Sequence, residues 1–164
     1  MIVKLILIAM SVDLSGTSRS SPPVVNAKPE STKLSVKCEF SVHKDGPNGE
    51  PVTGTALDVV LYYSIRCNPQ DGYCLSVGNC TVSADEIGFK PYLIIDDNGC
   101  SLEPSLYDDV TYESSFNAGI RNPYPVRFRS SSGAVLLYCV TTIIPTSRDG
   151  ICERHKCGKA PPSS

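Results

Sequence analysis

The stretch Leu34-Ser-Val-Lys-Cys-Glu-Phe-Ser-Val42 alternates an apolar or cysteine side chain with a polar one at every step. Leu34, Val36, Cys38, Phe40 and Val42 thereby fall on one face and Ser35, Lys37, Glu39 and Ser41 on the other. That is the period of two of a half-buried β-strand. A second run repeats it, with Val59, Leu61, Tyr63, Ile65 and Cys67 on one face. Between the two, His43-Lys-Asp-Gly-Pro-Asn-Gly-Glu50 holds Asp-Gly and Asn-Gly dipeptides around a proline, a composition that reverses the chain. Asn68-Pro-Gln-Asp-Gly72 marks the next turn.

Working outward, further strands are predicted at Leu75–Val82, at Tyr92–Ile95 before the turn Asp96-Asp-Asn-Gly99, at Leu106–Tyr112 and at Val126–Arg129. The longest is Ala134–Ile144, where β-branched and aromatic side chains dominate. No stretch sustains a 3.6-residue period. Short strands about ten residues apart, separated by Gly, Pro and Asp, predict an all-β fold, an immunoglobulin-like antiparallel β-sandwich stabilised by disulfides. The chain has no tryptophan, which sets it apart from a true immunoglobulin domain with its buried strand tryptophan.

The ends read differently. Met1-Ile-Val-Lys4 and the apolar run Leu5–Val12 form a basic n-region and a short h-region, so residues 1–18 are expected to be a secretory signal peptide. The run is too short to span a bilayer, which takes about 20 residues. Residues 19–32 are a Ser/Pro-rich linker with too little apolar surface to offset the entropy of ordering. The folded domain is expected over residues 33–157, followed by a polar tail at 158–164 that offers no membrane anchor.

Composition excludes several functions. The 15 basic and 17 acidic residues leave a formal charge of -2, so no positive field is available to track a nucleic acid backbone. For an enzyme, a nucleophile would need a base in a recognisable setting. Ser130-Ser-Ser-Gly133 is not a G-x-S-x-G elbow, and His43 and His155 fall in turn or cysteine-rich segments. No catalytic activity, small-molecule substrate or cofactor is expected. Asp96, Asp97, Asp108 and Asp109 match no calcium-loop spacing and read as turn and strand-end residues. Arg127 and Arg129 alternate away from Phe128 and, with Arg121, read as an exposed polar face.

Eight cysteines are too many for an ordinary cytosolic protein and point to an oxidising, extracellular setting. Cys38, Cys67, Cys74, Cys80, Cys100, Cys139, Cys152 and Cys157 permit 105 pairings, and spacing alone does not choose among them. Cys152-Glu-Arg-His155-Lys-Cys157 clusters three zinc-type donors, but its spacing fits no common zinc knuckle and disulfides compete for the thiols.

The order of features resembles the C-terminal half of a zona pellucida (ZP) domain, and within it the nematode cuticlins. The residues that carry the resemblance are Cys80-Thr-Val82, Tyr92-Leu-Ile-Ile-Asp96, Asn98-Gly-Cys100-Ser-Leu, Val126-Arg-Phe128, Val135-Leu-Leu-Tyr-Cys139 and the closing cysteines 152 and 157. Upstream, Val36–Val42, the turn Gly46–Pro51 and the pair Cys67 and Cys74 fit the cuticlin branch. The resemblance implies a Cys80–Cys139 disulfide and a bond from Cys100 to a closing cysteine, Cys157 before Cys152. It leaves Cys67–Cys74 as the local pair and Cys38–Cys152 as the last.

It also implies departures. Linker stands where such proteins carry an N-terminal half, and no cleavage site or hydrophobic segment follows Cys157. In the family that segment completes the sandwich near the first strands, so Val59, Val60, Leu61, Tyr62 and Tyr63 are the expected interaction edge. The implied function is a secreted structural component of an extracellular matrix, a cuticle, whose partners are other ZP-domain proteins or itself. The alternative is an immunoglobulin-like binding module that does not polymerise. Asn79-Cys80-Thr81 is the one N-glycosylation sequon, which makes Asn79 a candidate modification site.

Overall fold

The computed structural model describes residues 36–52, 59–84, 86–125 and 135–158. Seven strands form among them: β1 (Cys38–Lys44), β2 (Leu61–Cys67), β3 (Tyr73–Ala84), β4 (Tyr92–Ile95), β5 (Thr111–Tyr112), β6 (Asn117–Asn122) and β7 (Val135–Pro145). They make two antiparallel sheets, ordered β1-β2-β6-β5 and β4-β3-β7. Inward-facing side chains of both sheets meet in one core. Val42, Tyr63, Ile65 and Ile120 come from the first sheet, and Leu75, Val77, Ile94 and Leu137 from the second. This is the predicted all-β sandwich.

The run Leu61–Tyr63 does not lie at an edge. β2 pairs with β1 from Lys44↔Leu61 to Cys38↔Cys67 and, on its other side, with β6 from Leu61↔Asn122 to Arg66↔Asn117. Leu61, Tyr62 and Tyr63 are buried, and Val60 gives its carbonyl to the Asp45 N–H at 2.9 Å. The expected interaction edge is therefore corrected: residues 61–63 belong to an interior strand, and Val59 and Val60 lead into it. The strand that fills it, β6, reads poorly as a strand because Asn-Ala-Gly-Ile-Arg-Asn has one β-branched residue. Its glycine is the reason it fits. A Cβ on Gly119 would lie 1.8 Å from the Tyr62 hydroxyl, so the missing side chain makes room for the ring. The Tyr62 hydroxyl then donates to Glu113 Oε1 at 2.7 Å.

One other expectation needs adjustment. The predicted strand Leu106–Tyr112 shrinks to Thr111–Tyr112, since Pro104 favours a turn in which the Leu106 and Tyr107 N–H groups both reach the Glu103 carbonyl at 2.9 Å. That turn seats Tyr107 in the core, 1% exposed. The predicted strand Val126–Arg129 lies outside the described residues.

β3 changes phase halfway along. Leu75 and Val77 face the core, then so do Cys80, Val82 and Ala84, and the pairing with β7 shifts register between Gly78 and Thr81. One inserted residue, a β-bulge, moves the inward set from odd to even positions. A Cβ on Gly78 would lie 2.5 Å from the Asp97 carbonyl oxygen, so the turn after β4 closes directly over the bulge.

All eight cysteines are bonded. Cys80 joins Cys139 and Cys100 joins Cys157. The other two pairs differ from those implied: Cys38 is bonded to Cys67 and Cys74 to Cys152. The strand register decides this, because Cys38 stands directly opposite Cys67 across β1 and β2, whereas Cys74 lies across the Asn68–Gly72 turn in the other sheet. Cys74 instead meets the chain that follows β7. The Cys74–Cys152 bond spans 78 residues, and on the chain-entropy model a loop of that size is worth about 4 kcal/mol. The Cys74→Ser/Cys152→Ser double variant should lose about that much in denaturant unfolding, and full reduction should unfold the domain. Tryptic mapping without reductant should show peptide Cys38–Lys44 attached to peptide 67–121, since Lys90 precedes a proline and is not cut; a separate species joining it to peptide 149–154 would restore the Cys38–Cys152 pairing.

The core also stores a pH dependence. Tyr63 and Tyr107 are buried with their ring centroids 6.5 Å apart. Burial raises both hydroxyls above their ordinary value of 10.0, and the Asn122 side chain bonded to Tyr63 offsets part of its rise. The native state thus keeps protons that the unfolded chain releases above pH 10, so stability is complete below that pH and falls as pH rises through the native pKa values. Denaturant titrations from about pH 8 to about pH 12 should show this decline, less steep in Tyr107→Phe. The Tyr107 hydroxyl has no protein partner among the described residues, so the same variant should be at least as stable at neutral pH, by up to about 1 kcal/mol.

Candidate functional site: the long edge of the second sheet

A sandwich of two open sheets has four edge strands, and an edge exposes backbone N–H and C=O groups that another strand can use. Three of the four are shielded. β1 carries Glu39 and Lys44, and the returning chain covers it through the His43↔Pro51 bridge and the Val52 N–H, which donates to the Val42 carbonyl at 2.8 Å. β5 has only two residues. β4 is flanked by residues 100–102, with an Ile95↔Ser101 bridge and the Leu102 N–H donating to the Ile94 carbonyl at 2.8 Å.

β7 differs. Its eleven residues, Val-Leu-Leu-Tyr-Cys-Val-Thr-Thr-Ile-Ile-Pro, include no charged side chain, and among the described residues β3 is its sole pairing partner. About half of its backbone groups face away from β3, as in any antiparallel edge. The usual safeguards of an edge strand are lysines, bulges bending it away, or internal prolines; only Pro145, at its end, is of that kind. β7 is anchored by ten register pairs to β3 and by the Cys80–Cys139 bond. It is an uncharged strand held along its length by β3.

The chain after β7 locks this arrangement from below. Arg154 stands between Cys152 and Cys157, which bond to Cys74 and Cys100. Its Nε donates to the Leu75 carbonyl at 2.9 Å and its Nη2 to the Ser115 carbonyl at 2.9 Å, with the guanidinium 3.7 Å from the Tyr112 ring centroid. Desolvation lowers its pKa below the usual guanidinium range. One cation thus ties β3 to the β5–β6 turn of the other sheet through carbonyls and a ring face. The sequence offered no signal for this beyond an arginine among cysteines.

The remaining candidates fall into structural roles. Asp96 Oδ1 accepts from the Asn98 and Cys100 N–H groups at 2.9 and 2.8 Å, closing the turn. Asp109 accepts from the Ser101 N–H at 2.7 Å, and Asp108 pairs with Arg121 at 3.3 Å. Asp97 accepts from the Asn98 amide at 3.0 Å. Cys100, Asp109 and Cys157 have donor atoms within 4.8 Å of one another, but both sulfurs belong to one disulfide and are not thiolates. His43 lies between Ser41 Oγ and the Gly49 carbonyl, which must accept from Nδ1–H. Asn79 is exposed at the β3 bulge. Arg127, Arg129 and Ser130–Gly133 lie outside the described residues.

Known proteins give this framework a family. Residues 34–161 match the Cuticlin C-terminal domain. Cuticlin-3 of Caenorhabditis elegans is 26% identical over 124 residues, which is 74% of this chain and 31% of that protein. Cuticlin-1 and Cuticlin-4 of the same organism are 26% and 30% identical over 84 and 90 residues, covering 50% and 54% of this chain and 19% and 17% of theirs. The chain therefore spans under a third of the length of these relatives. The matched region takes in every strand and every disulfide described above, and the chain belongs to the cuticlin family, as a bearer of its C-terminal, ZP-type domain.

Proposed function

We propose that this chain is a secreted structural component of an extracellular matrix, a cuticle, and that it joins other ZP-domain chains or copies of itself through strand addition at β7. The observation that carries the reading is the length and neutrality of that edge beside three shielded ones. Strand addition needs a partner's backbone more than its side chains, which suits a polymer built from related chains of variable sequence. Four disulfides support an oxidising destination, and family membership supports a structural protein in place of an enzyme.

Sedimentation velocity of the oxidised chain, alone and mixed with a full-length ZP-domain protein, tests this. Self-association or incorporation into filaments is the expected result. The Val140→Lys/Thr142→Lys variant, which charges β7 at half-buried positions, should remain folded and lose incorporation at least tenfold. A wild-type chain that stays monomeric and never enters filaments would sink the assembly reading in favour of the non-polymerising binding module.

A further inference from the structure

We propose that Asn79 carries an N-linked oligosaccharide, added while β3 is still unpaired. The inference rests on the secretory part of the function proposed above. Strict alternation from Leu75 and Val77 would send residue 79 into the core. The bulge prevents it: Cys80 takes the inward position, fully buried, and Asn79 is left exposed. Asn79 adopts φ 48°, a left-handed conformation that asparagine tolerates better than other side chains with a Cβ. Its N–H donates to the Asp96 carbonyl at 2.7 Å, so the backbone is satisfied by the fold and the side-chain amide is not needed for it. A substituent on that amide would stand on the solvent side of the central strand of its sheet, over the face and away from the β7 edge.

The middle residue of the sequon appears to the transferase before it is locked. Cys80 bonds Cys139, 59 residues further along. At ordinary synthesis rates those residues take roughly 3–12 s to appear. During that interval Asn79-Cys80-Thr81 has neither its disulfide partner nor β7 and is free to be extended. In the transfer, the Asn79 amide nitrogen forms a bond to the anomeric carbon of a lipid-pyrophosphate-linked oligosaccharide. The anomeric C–O bond breaks, the lipid pyrophosphate leaves with the electron pair, and the amide gives up one proton; nothing is oxidised or reduced.

The test expresses the full chain in a eukaryotic secretory cell twice, once with its own N-terminus and once behind a proven leader. The product is then digested with peptide N-glycosidase. The expected result is a mobility shift, with conversion of Asn79 to aspartate seen by mass spectrometry in the reduced tryptic peptide 67–121. The shift should vanish in Asn79→Gln and in Thr81→Val, which preserves strand propensity and volume, and persist in Thr81→Ser. Leader-borne chain that is secreted and disulfide-bonded but carries no sugar would overturn the Asn79 site and leave secretion standing. Glycosylated leader-borne chain alongside wild-type chain that never leaves the cytosol would do the reverse.

Discussion

β3 has to deliver core side chains along twelve residues, pair with β7 over almost its full length and present two cysteines to different partners. A regular strand cannot do all of this, because its side chains alternate without interruption. The inserted residue at Gly78–Asn79 resolves the conflict. Before it, Leu75 and Val77 face the core; after it, Cys80 and Val82 do. The same insertion is why Gly78 has to lack a side chain, since the Asp96–Asp97 backbone closes over it. Without the bulge, Cys80 would turn away from Cys139 and the second half of β3 would expose its apolar face.

Covalent and electrostatic ties then fix what the bulge has placed. Each sheet holds one disulfide between neighbouring strands, Cys38–Cys67 in the first and Cys80–Cys139 in the second. The other two bonds and Arg154 bind the chain after β7 to β3, to the turn after β4 and to the β5–β6 turn. A small two-sheet core gains from such closures because they remove conformations from the unfolded chain. What they leave is a firmly held β7 that, among the described residues, pairs on one side only. A sugar on Asn79 would cover the face of that sheet and leave the edge as the route of approach, so the two proposals describe one surface.

Much of this was legible beforehand. β4 appears where Tyr92–Ile95 predicted it, β3 runs two residues past its predicted run at each end, and β2 and β7 fall within two residues of theirs. Alternation is a property of a strand's own faces, so a single strand carries it. β6 was missed because its fitness is relational: Gly119 is a good residue only against Tyr62. The Leu106–Tyr112 segment was overcalled because its apolar residues serve a turn that buries Tyr107.

The sequence by itself determined that the chain is all-β, where its main strands and turns fall, and that its cysteines belong to a ZP-type framework. Only the tertiary structure decided which strands are neighbours. That choice placed β6 beside β2, removed residues 61–63 from any edge, paired Cys38 with Cys67, and left β7, among the described residues, with β3 as its one neighbour. The physical reason is that a period of two tells a strand which side to bury, whereas hydrogen-bonded neighbours and disulfide partners are set by groups far apart in sequence that only the folded sheets bring into register.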